Sequence, residues 1–109
     1  MRERASARFV PRRSVTVAFE GRDNPTAYGV VANISDGGAC VWTDARLEVG
    51  QRLALALSFA REPRAVPAEG RVVWIAPVTG TPGRRCGVQW KATPGPEGQL
   101  LRQMIAASS

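Results

Sequence analysis

The residues best suited to chemistry in this chain lie in a basic N-terminal arm and in one short polar stretch. The arm, residues 1–13, contains five arginines and one glutamate. An arginine side chain is a planar, permanently charged fork that donates paired hydrogen bonds to phosphate oxygens or to the guanine edge. The polar stretch, Asn-Ile-Ser-Asp-Gly-Gly at residues 33–38, adds neutral donors and acceptors. Together the two segments could bind one anion that also carries hydrogen-bonding groups.

Several other chemistries lack the residues that they require. The 109 residues include no histidine, and Cys40 and Cys86 are too few and too far apart for a structural zinc site. The only lysine, Lys91, lacks the glycines of a phosphate-binding loop. The acidic residues follow no recurring spacing that would pair them for acid-base work. We therefore predict a binding protein rather than an enzyme, with no metal site and no cofactor.

Size and composition are those of one globular domain. The chain has a mass of 11.7 kDa, is 44% hydrophobic and 22% charged, and carries a net charge of +6. No run approaches the roughly 18 to 20 apolar residues of a membrane span, and no apolar signal-peptide region is present. We predict a cytoplasmic protein without membrane insertion. It would comprise a flexible basic arm, residues 1–13, and a single domain, residues 14–109.

Alternating apolar and polar residues predict six β-strands followed by one helix. The predicted strands cover residues 14–20, 27–34, 39–43, 52–59, 65–75 and 84–90. Apolar residues at helical spacing predict a helix over residues 96–107, placed across one opening of the sheet structure. By themselves, such short strands are typical of an all-β barrel or sandwich.

Turn chemistry and bulky side chains add local expectations. The dipeptides Asp-Gly and Gly-Gly within residues 35–38 predict a tight hairpin turn with positive backbone φ angles. The strand at residues 65–75 is expected to bend at Pro67 or Gly70. We expect the two cysteines, Cys40 and Cys86, to be core residues, and the three tryptophans to be core or barrel-rim residues, namely Trp42, Trp74 and Trp90.

The order and spacing of these motifs resemble those of the PilZ domain, a receptor for the bacterial second messenger cyclic di-GMP. An Arg-x-x-x-Arg pair in the arm precedes Asn33-x-Ser35-x-x-Gly38, and residues 50–53, 70–74 and 87–90 are similar to segments of that family. The resemblance covers almost the whole chain. It implies a six-stranded antiparallel β-barrel with a C-terminal helix, no catalytic activity and cyclic di-GMP as the ligand.

The resemblance also implies which residues bind the ligand. The first set is Arg4, Arg8, Asn33, Ser35 and Gly38; a second, weaker set is Arg12, Gly37 and Trp74. Two registers of the arginine pair stay open, because Arg4/Arg8 and Arg8/Arg12 have the same spacing. We favour Arg4/Arg8, since residues 8–11 lead into the first strand. The family has aspartate or asparagine at the position of Asn33, and asparagine lacks the charge that pairs best with guanine N–H groups.

We further predict a downstream protein partner, which would recognise a surface that changes when the ligand draws the arm onto the barrel. Two alternatives stay open. One is a basic barrel that binds nucleic acid nonspecifically, as the pI of about 11.0 suggests. Nucleic acid is the less favoured partner, because no strand interleaves arginine with aromatic residues. The other alternative is a PilZ-like interaction adaptor that does not respond to the ligand.

Overall fold

The computed structural model describes residues 8, 10–20, 26–91 and 95–108. Arg4 lies outside these residues. Six strands and one helix are present: β1 (Val15–Glu20), β2 (Ala27–Ser35), β3 (Gly38–Thr43), β4 (Arg52–Phe59), β5 (Val66–Pro77), β6 (Arg84–Trp90) and α1 (Gly95–Ala107). The predicted bounds of β4 and β6 are confirmed, and the other elements differ by one or two residues.

The strands form a closed antiparallel barrel in the order β1-β2-β3-β6-β5-β4. Pairing of β1 with β4, from Val15 opposite Phe59 to Glu20 opposite Ala54, closes it. The six-stranded barrel implied by the resemblance is therefore confirmed, and a sandwich is excluded. Alternate residues of each strand point inward and fill the interior. The largest fully buried barrel side chains are Phe19, Ile34, Leu57, Val15, Val66, Val72 and Val88.

Helix α1 adds one apolar face to this core. Leu101 and Ile105 are almost completely buried and belong to the same cluster as the barrel interior, while Leu100 and Met104 pack at its margin. The helix begins with Gly95 at a φ of 81° and Pro96, whose fixed φ suits a first helical turn. The expected C-terminal helix over apolar residues is confirmed, and it packs against β5.

Two β-bulges determine which residues point outward. One lies in β2 between Val31 and Asn33, and the other lies in β5 between Val72 and Trp74. Val31 and Val72 face the interior, so strict alternation would also turn Asn33 and Trp74 inward. Each bulge inserts one extra residue and re-aims the side chain that follows. Asn33 and Trp74 therefore lie on the outer face, and the bend in β5 is at Val72–Trp74 instead of the predicted Pro67 or Gly70.

Candidate ligand-binding site

The β2–β3 hairpin is held by hydrogen bonds from two directions. Ser35 pairs with Gly38 across the two-residue turn Asp36-Gly37. The Ser35 hydroxyl accepts from the Gly37 amide at 3.3 Å and donates to the Gly38 carbonyl at 3.4 Å. From β6, the Trp90 amide donates to the Gly37 carbonyl at 3.0 Å, and the indole Nε1 donates to the Asp36 carbonyl at 2.8 Å. The predicted tight hairpin is confirmed, and Trp90 fixes it to the neighbouring strand.

The glycines of this hairpin serve a different purpose from the one predicted. Neither Gly37 nor Gly38 has a φ in the left-handed region, so the expectation of positive φ angles was wrong. The requirement at position 38 is space, because a Cβ there would overlap the carbonyl oxygen of Val88 on β6. Glycine at this position therefore lets β6 approach the hairpin closely.

A row of paired residues on the outer face connects the hairpin strand to β5. Asn33 pairs with Cys40, Cys40 pairs with Gly87, and Gly87 pairs with Trp74. Directly paired residues point to the same face of a sheet, and three strand spacings amount to about 14 Å. The Trp74 indole lies over Gly87, where a Cβ would overlap the ring. The fold thus places Asn33 and Trp74, which are distant in sequence, on one continuous surface.

The arginine arm reaches this surface at Arg8. The Arg8 Nη1 donates to Asn33 Oδ1 at 3.5 Å, which joins the two segments singled out in the sequence. Further along the arm, the Arg12 amide donates to the Ser108 carbonyl at 2.9 Å, so the arm is attached to the C-terminal end of α1. The Arg12 side chain is exposed. Arg4 lies outside the described residues, so the choice between the two registers stays open, and the described contact involves Arg8, the arginine that both registers share.

Cys40 is the buried member of this row. Both cysteines are free and buried, as predicted, but Cys40 faces outward while Cys86 belongs to the interior cluster. Burial raises the pKa of the Cys40 thiol, and the charges of Arg85 and Arg8 partly lower it. Burial likewise raises the pKa of Cys86. Cys40 is therefore a neutral side chain close to two cationic ones, and its expected burial is confirmed at 4% exposure.

A second row on the outer face contains a residue pair that sequence reasoning missed. Trp42 pairs with Arg85, whose guanidinium carbon lies 5.6 Å from the centroid of the indole ring. Trp42 is 43% exposed and so lies outside the core, near the end of β3, whereas Trp90 is buried as expected. The outer face thus brings arginine and tryptophan together, although no single strand interleaves them. Along β3, Trp42 alternates with Val41 and Thr43, which are buried, so the period-two pattern could have indicated that Trp42 points outward.

The described residues give no sign of a membrane helix or of a metal centre. Within residues 8, 10–20, 26–91 and 95–108, no helix is both long and apolar enough to cross a membrane. Over the same ranges, His, Cys, Asp and Glu side chains form no group of three that could hold a metal ion.

Comparison with known proteins identifies the family. The chain matches the family model of the PilZ domain over residues 2–107. No curated protein matches it. Among solved structures, it is similar to the Bacillus subtilis inhibitor of motility MotI/DgrA, with 19% identity and a TM-score of 0.74 over 98% of this chain and 51% of that one.

Two further structures show the same similarity. The PilZ domain of Escherichia coli YcgR, solved with c-di-GMP, has 18% identity and a TM-score of 0.72 over 96% of this chain and 91% of that one. K. pneumonia MrkH in its apo state has 15% identity and a TM-score of 0.79 over 98% of this chain and 50% of that one. The chain spans about half the length of the MotI and MrkH structures. At these identities the structural likeness establishes the fold, and the family-model match over almost every residue establishes that this chain belongs to the PilZ domain family.

Proposed function

We propose that this protein is a non-catalytic receptor for cyclic di-GMP. The observation that carries the proposal is the contact between Arg8 Nη1 and Asn33 Oδ1, which brings the arginine motif and the hairpin motif to one outer surface. Family membership supports the choice of ligand, since structures of YcgR and MrkH have been solved as complexes with c-di-GMP.

The side chains on this surface match the groups of the ligand. Cyclic di-GMP carries two phosphates and two guanines, which an arginine fork can bind through phosphate oxygens or guanine O6 and N7. Each paired contact contributes about 1–3 kcal/mol, whereas micromolar binding requires about 8 kcal/mol. Asn33 and Ser35 would supply neutral hydrogen bonds, and the half-buried Trp74 would add about 1–3 kcal/mol by stacking on a base.

The proposed ligand would also rearrange the arm. At 3.5 Å the Arg8–Asn33 contact is long for a hydrogen bond, so a guanine edge can replace it at little cost. Four residues of extended chain span about 13 Å, which lets Arg4 and Arg8 reach different parts of one dinucleotide. The attachment of Arg12 to Ser108 would hold the base of the arm while its tip closes.

A downstream protein would recognise the surface beside the ligand. Tyr28 and Val30 on β2 and Trp42 on β3 are 69%, 49% and 43% exposed, and Val30 pairs with Trp42. Clusters of exposed aromatic and aliphatic side chains mark interaction surfaces. On β6, Arg85 lies between this cluster and Gly87, which belongs to the row that Arg8 contacts through Asn33. A movement of the arm would therefore change the number of positive charges near the edge of the cluster.

Titration calorimetry with cyclic di-GMP tests the proposal. We expect saturable binding that Arg8→Ala or Ser35→Ala abolishes. Arg64→Ala is the matched control, because it also removes one guanidinium, yet its one ion pair with a described residue is with Glu62 and its side chain is 75% exposed. Folding of each variant is verified by circular dichroism. Absence of binding heat with the folded wild-type protein would end the proposal.

One observation favours the alternative of nonspecific nucleic-acid binding. Arg85 over Trp42 is an arrangement that also supports stacking of single-stranded bases. This alternative predicts that oligonucleotides of any sequence bind with an affinity that falls steeply with salt, without preference for guanine. A guanine-selective affinity that changes little between low and moderate salt would reject it.

A further inference from the structure

A cavity of about 750 Å³ opens on the barrel beside the hairpin, and the arginine and hairpin motifs do not account for it. It lies where β4, β5 and β6 meet, and its size falls within the roughly 300–1,000 Å³ of small-molecule sites. The described polar and aromatic side chains that line it are Arg52, Glu69, Arg71, Gln89, Trp90 and Lys91.

The charge of this cavity is unbalanced. Three cationic residues, Arg52, Arg71 and Lys91, face one described acidic residue, Glu69. Arg52 and Arg71 are directly paired in the register of β4 and β5, and like charges at opposite positions destabilise a sheet. Within the described part of the chain, none of the three cations has an ion pair. A bound anion would relieve this repulsion.

The lining also indicates which kind of anion fits. Trp90 is 6% exposed and its indole N–H is already bonded to the Asp36 carbonyl, so the described lining offers little aromatic surface for a base. Guanidinium and ammonium groups bind phosphate oxygens strongly. The cavity therefore suits a phosphate group better than a nucleobase.

The position of the cavity relates it to the hairpin. Gly38 pairs with Gln89, which pairs with Arg71, which pairs with Arg52. Two strand spacings, about 10 Å, thus separate the hairpin from Arg71. A molecule bound at Arg71 would lie beside one bound at the hairpin without occupying the same place.

We propose that Arg52, Arg71 and Lys91 form a second anion subsite, which binds a phosphate group of a nucleotide-like ligand. Two sources of that phosphate are compatible with the chemistry: a second molecule of the dinucleotide proposed above, or a separate phosphate-bearing metabolite. The subsite itself does not depend on the hairpin binding cyclic di-GMP. Arg71 is its central residue, since it is paired with both Arg52 and Gln89.

The first experiment uses pyrophosphate as the probe, at constant ionic strength, with the full chain. We expect the wild-type protein to bind it and to melt at a higher temperature in its presence. The double variant R52Q/R71Q should bind about tenfold more weakly or not at all, the loss expected when charge-assisted hydrogen bonds disappear. R64Q, which removes one guanidinium elsewhere, should bind like the wild type.

The stability of R52Q/R71Q without anions shows whether a loss of binding comes from the missing charges or from misfolding. Because R52Q/R71Q removes like-charge repulsion, its melting temperature without anions should equal or exceed that of the wild type. A folded R52Q/R71Q protein that binds pyrophosphate as well as the wild type does would overturn the proposal. Failure of the wild type to bind pyrophosphate would overturn it as well.

The second experiment distinguishes the sources with cyclic di-GMP. A stoichiometry of two in the wild type that falls to one in R52Q/R71Q would identify a second dinucleotide as the occupant. A stoichiometry of one in both, together with the loss of pyrophosphate binding in the variant, would identify a separate phosphate ligand. If the hairpin function fails, cyclic di-GMP gives no heat, and the pyrophosphate result still decides whether the subsite exists.

Discussion

The anchoring of the hairpin by Trp90 can be tested with Trp90→Phe. Phenylalanine keeps an aromatic ring in the barrel but removes the indole N–H that donates to the Asp36 carbonyl at 2.8 Å. The lost hydrogen bond costs about 1 kcal/mol, and the smaller ring in a site that is only 6% exposed costs about another 1 kcal/mol. For a domain of this size, about 2 kcal/mol lowers the melting temperature by roughly 10 °C.

The same substitution should weaken ligand binding. Without the hydrogen bond from the indole, the turn next to Ser35 is less ordered in the free protein. Ligand binding then has to order this turn, and the cost reduces the binding free energy. A cost of about 1 kcal/mol corresponds to an approximately fivefold weaker affinity for cyclic di-GMP. Scanning calorimetry gives the melting temperature, and titration calorimetry gives the affinity.

Trp42→Phe is the matched control for this prediction. It makes the same chemical change at a side chain that is 43% exposed, where the described contact is with Arg85 at 5.6 Å. Such an exposed cation–π contact contributes about 0.5–1 kcal/mol, so the control should lose less stability. Equal melting temperatures for the Trp90 and Trp42 variants would refute the anchoring role of the indole. A destabilised Trp90 variant with unchanged affinity would refute its role in the site.

Three further predictions follow from the outer face. Asn33→Asp should tighten cyclic di-GMP binding about fivefold, as measured by calorimetry. The aspartate would accept two charged hydrogen bonds from guanine, which together gain about 2 kcal/mol, whereas breaking its exposed ion pair with Arg8 would cost up to about 1 kcal/mol. Weaker binding would contradict this prediction. Gly87→Ala should displace the Trp74 indole, because the new Cβ overlaps it, and shift the tryptophan emission; an unchanged spectrum and affinity would show that the indole is not held there. Because burial raises the pKa of Cys40, its thiol ionises at lower pH in the unfolded chain than in the fold. The unfolding free energy in urea should therefore fall as the pH rises above about 8.5, and Cys40→Ala should reduce that slope.

The positions of the strands and of the motifs along the chain could be predicted because they depend on local sequence patterns. Period-two alternation at residues 52–59 gave the bounds of β4 without error. The position of Asn33 and Trp74 on one face could not be obtained in this way, since each depends on a bulge that changes the alternation. A bulge arises from the pairing of two strands, and no residue within either strand predicts it.

The cationic part of the surface was missed for a related reason. Arg52 and Arg71 are separated by a polar loop in sequence and become direct neighbours through the register of β4 and β5. Trp42 and Arg85 meet in the same way across β3 and β6. Cross-strand register is set by the whole barrel, whereas turn and strand signals are set by a few residues each. The ligand-binding roles of Arg4 and Arg8 stay predictions, and the structure adds the contact of Arg8 with Asn33.

The hydrogen bond from the Arg12 amide to the Ser108 carbonyl has a practical consequence for experiments. It connects the arm, four residues after Arg8, to the residue that follows the last helical turn. A bulky fluorescent protein or affinity tag fused directly after Ser108 would crowd this bond, and with it the segment of the arm that leads from Arg12 back to Arg8.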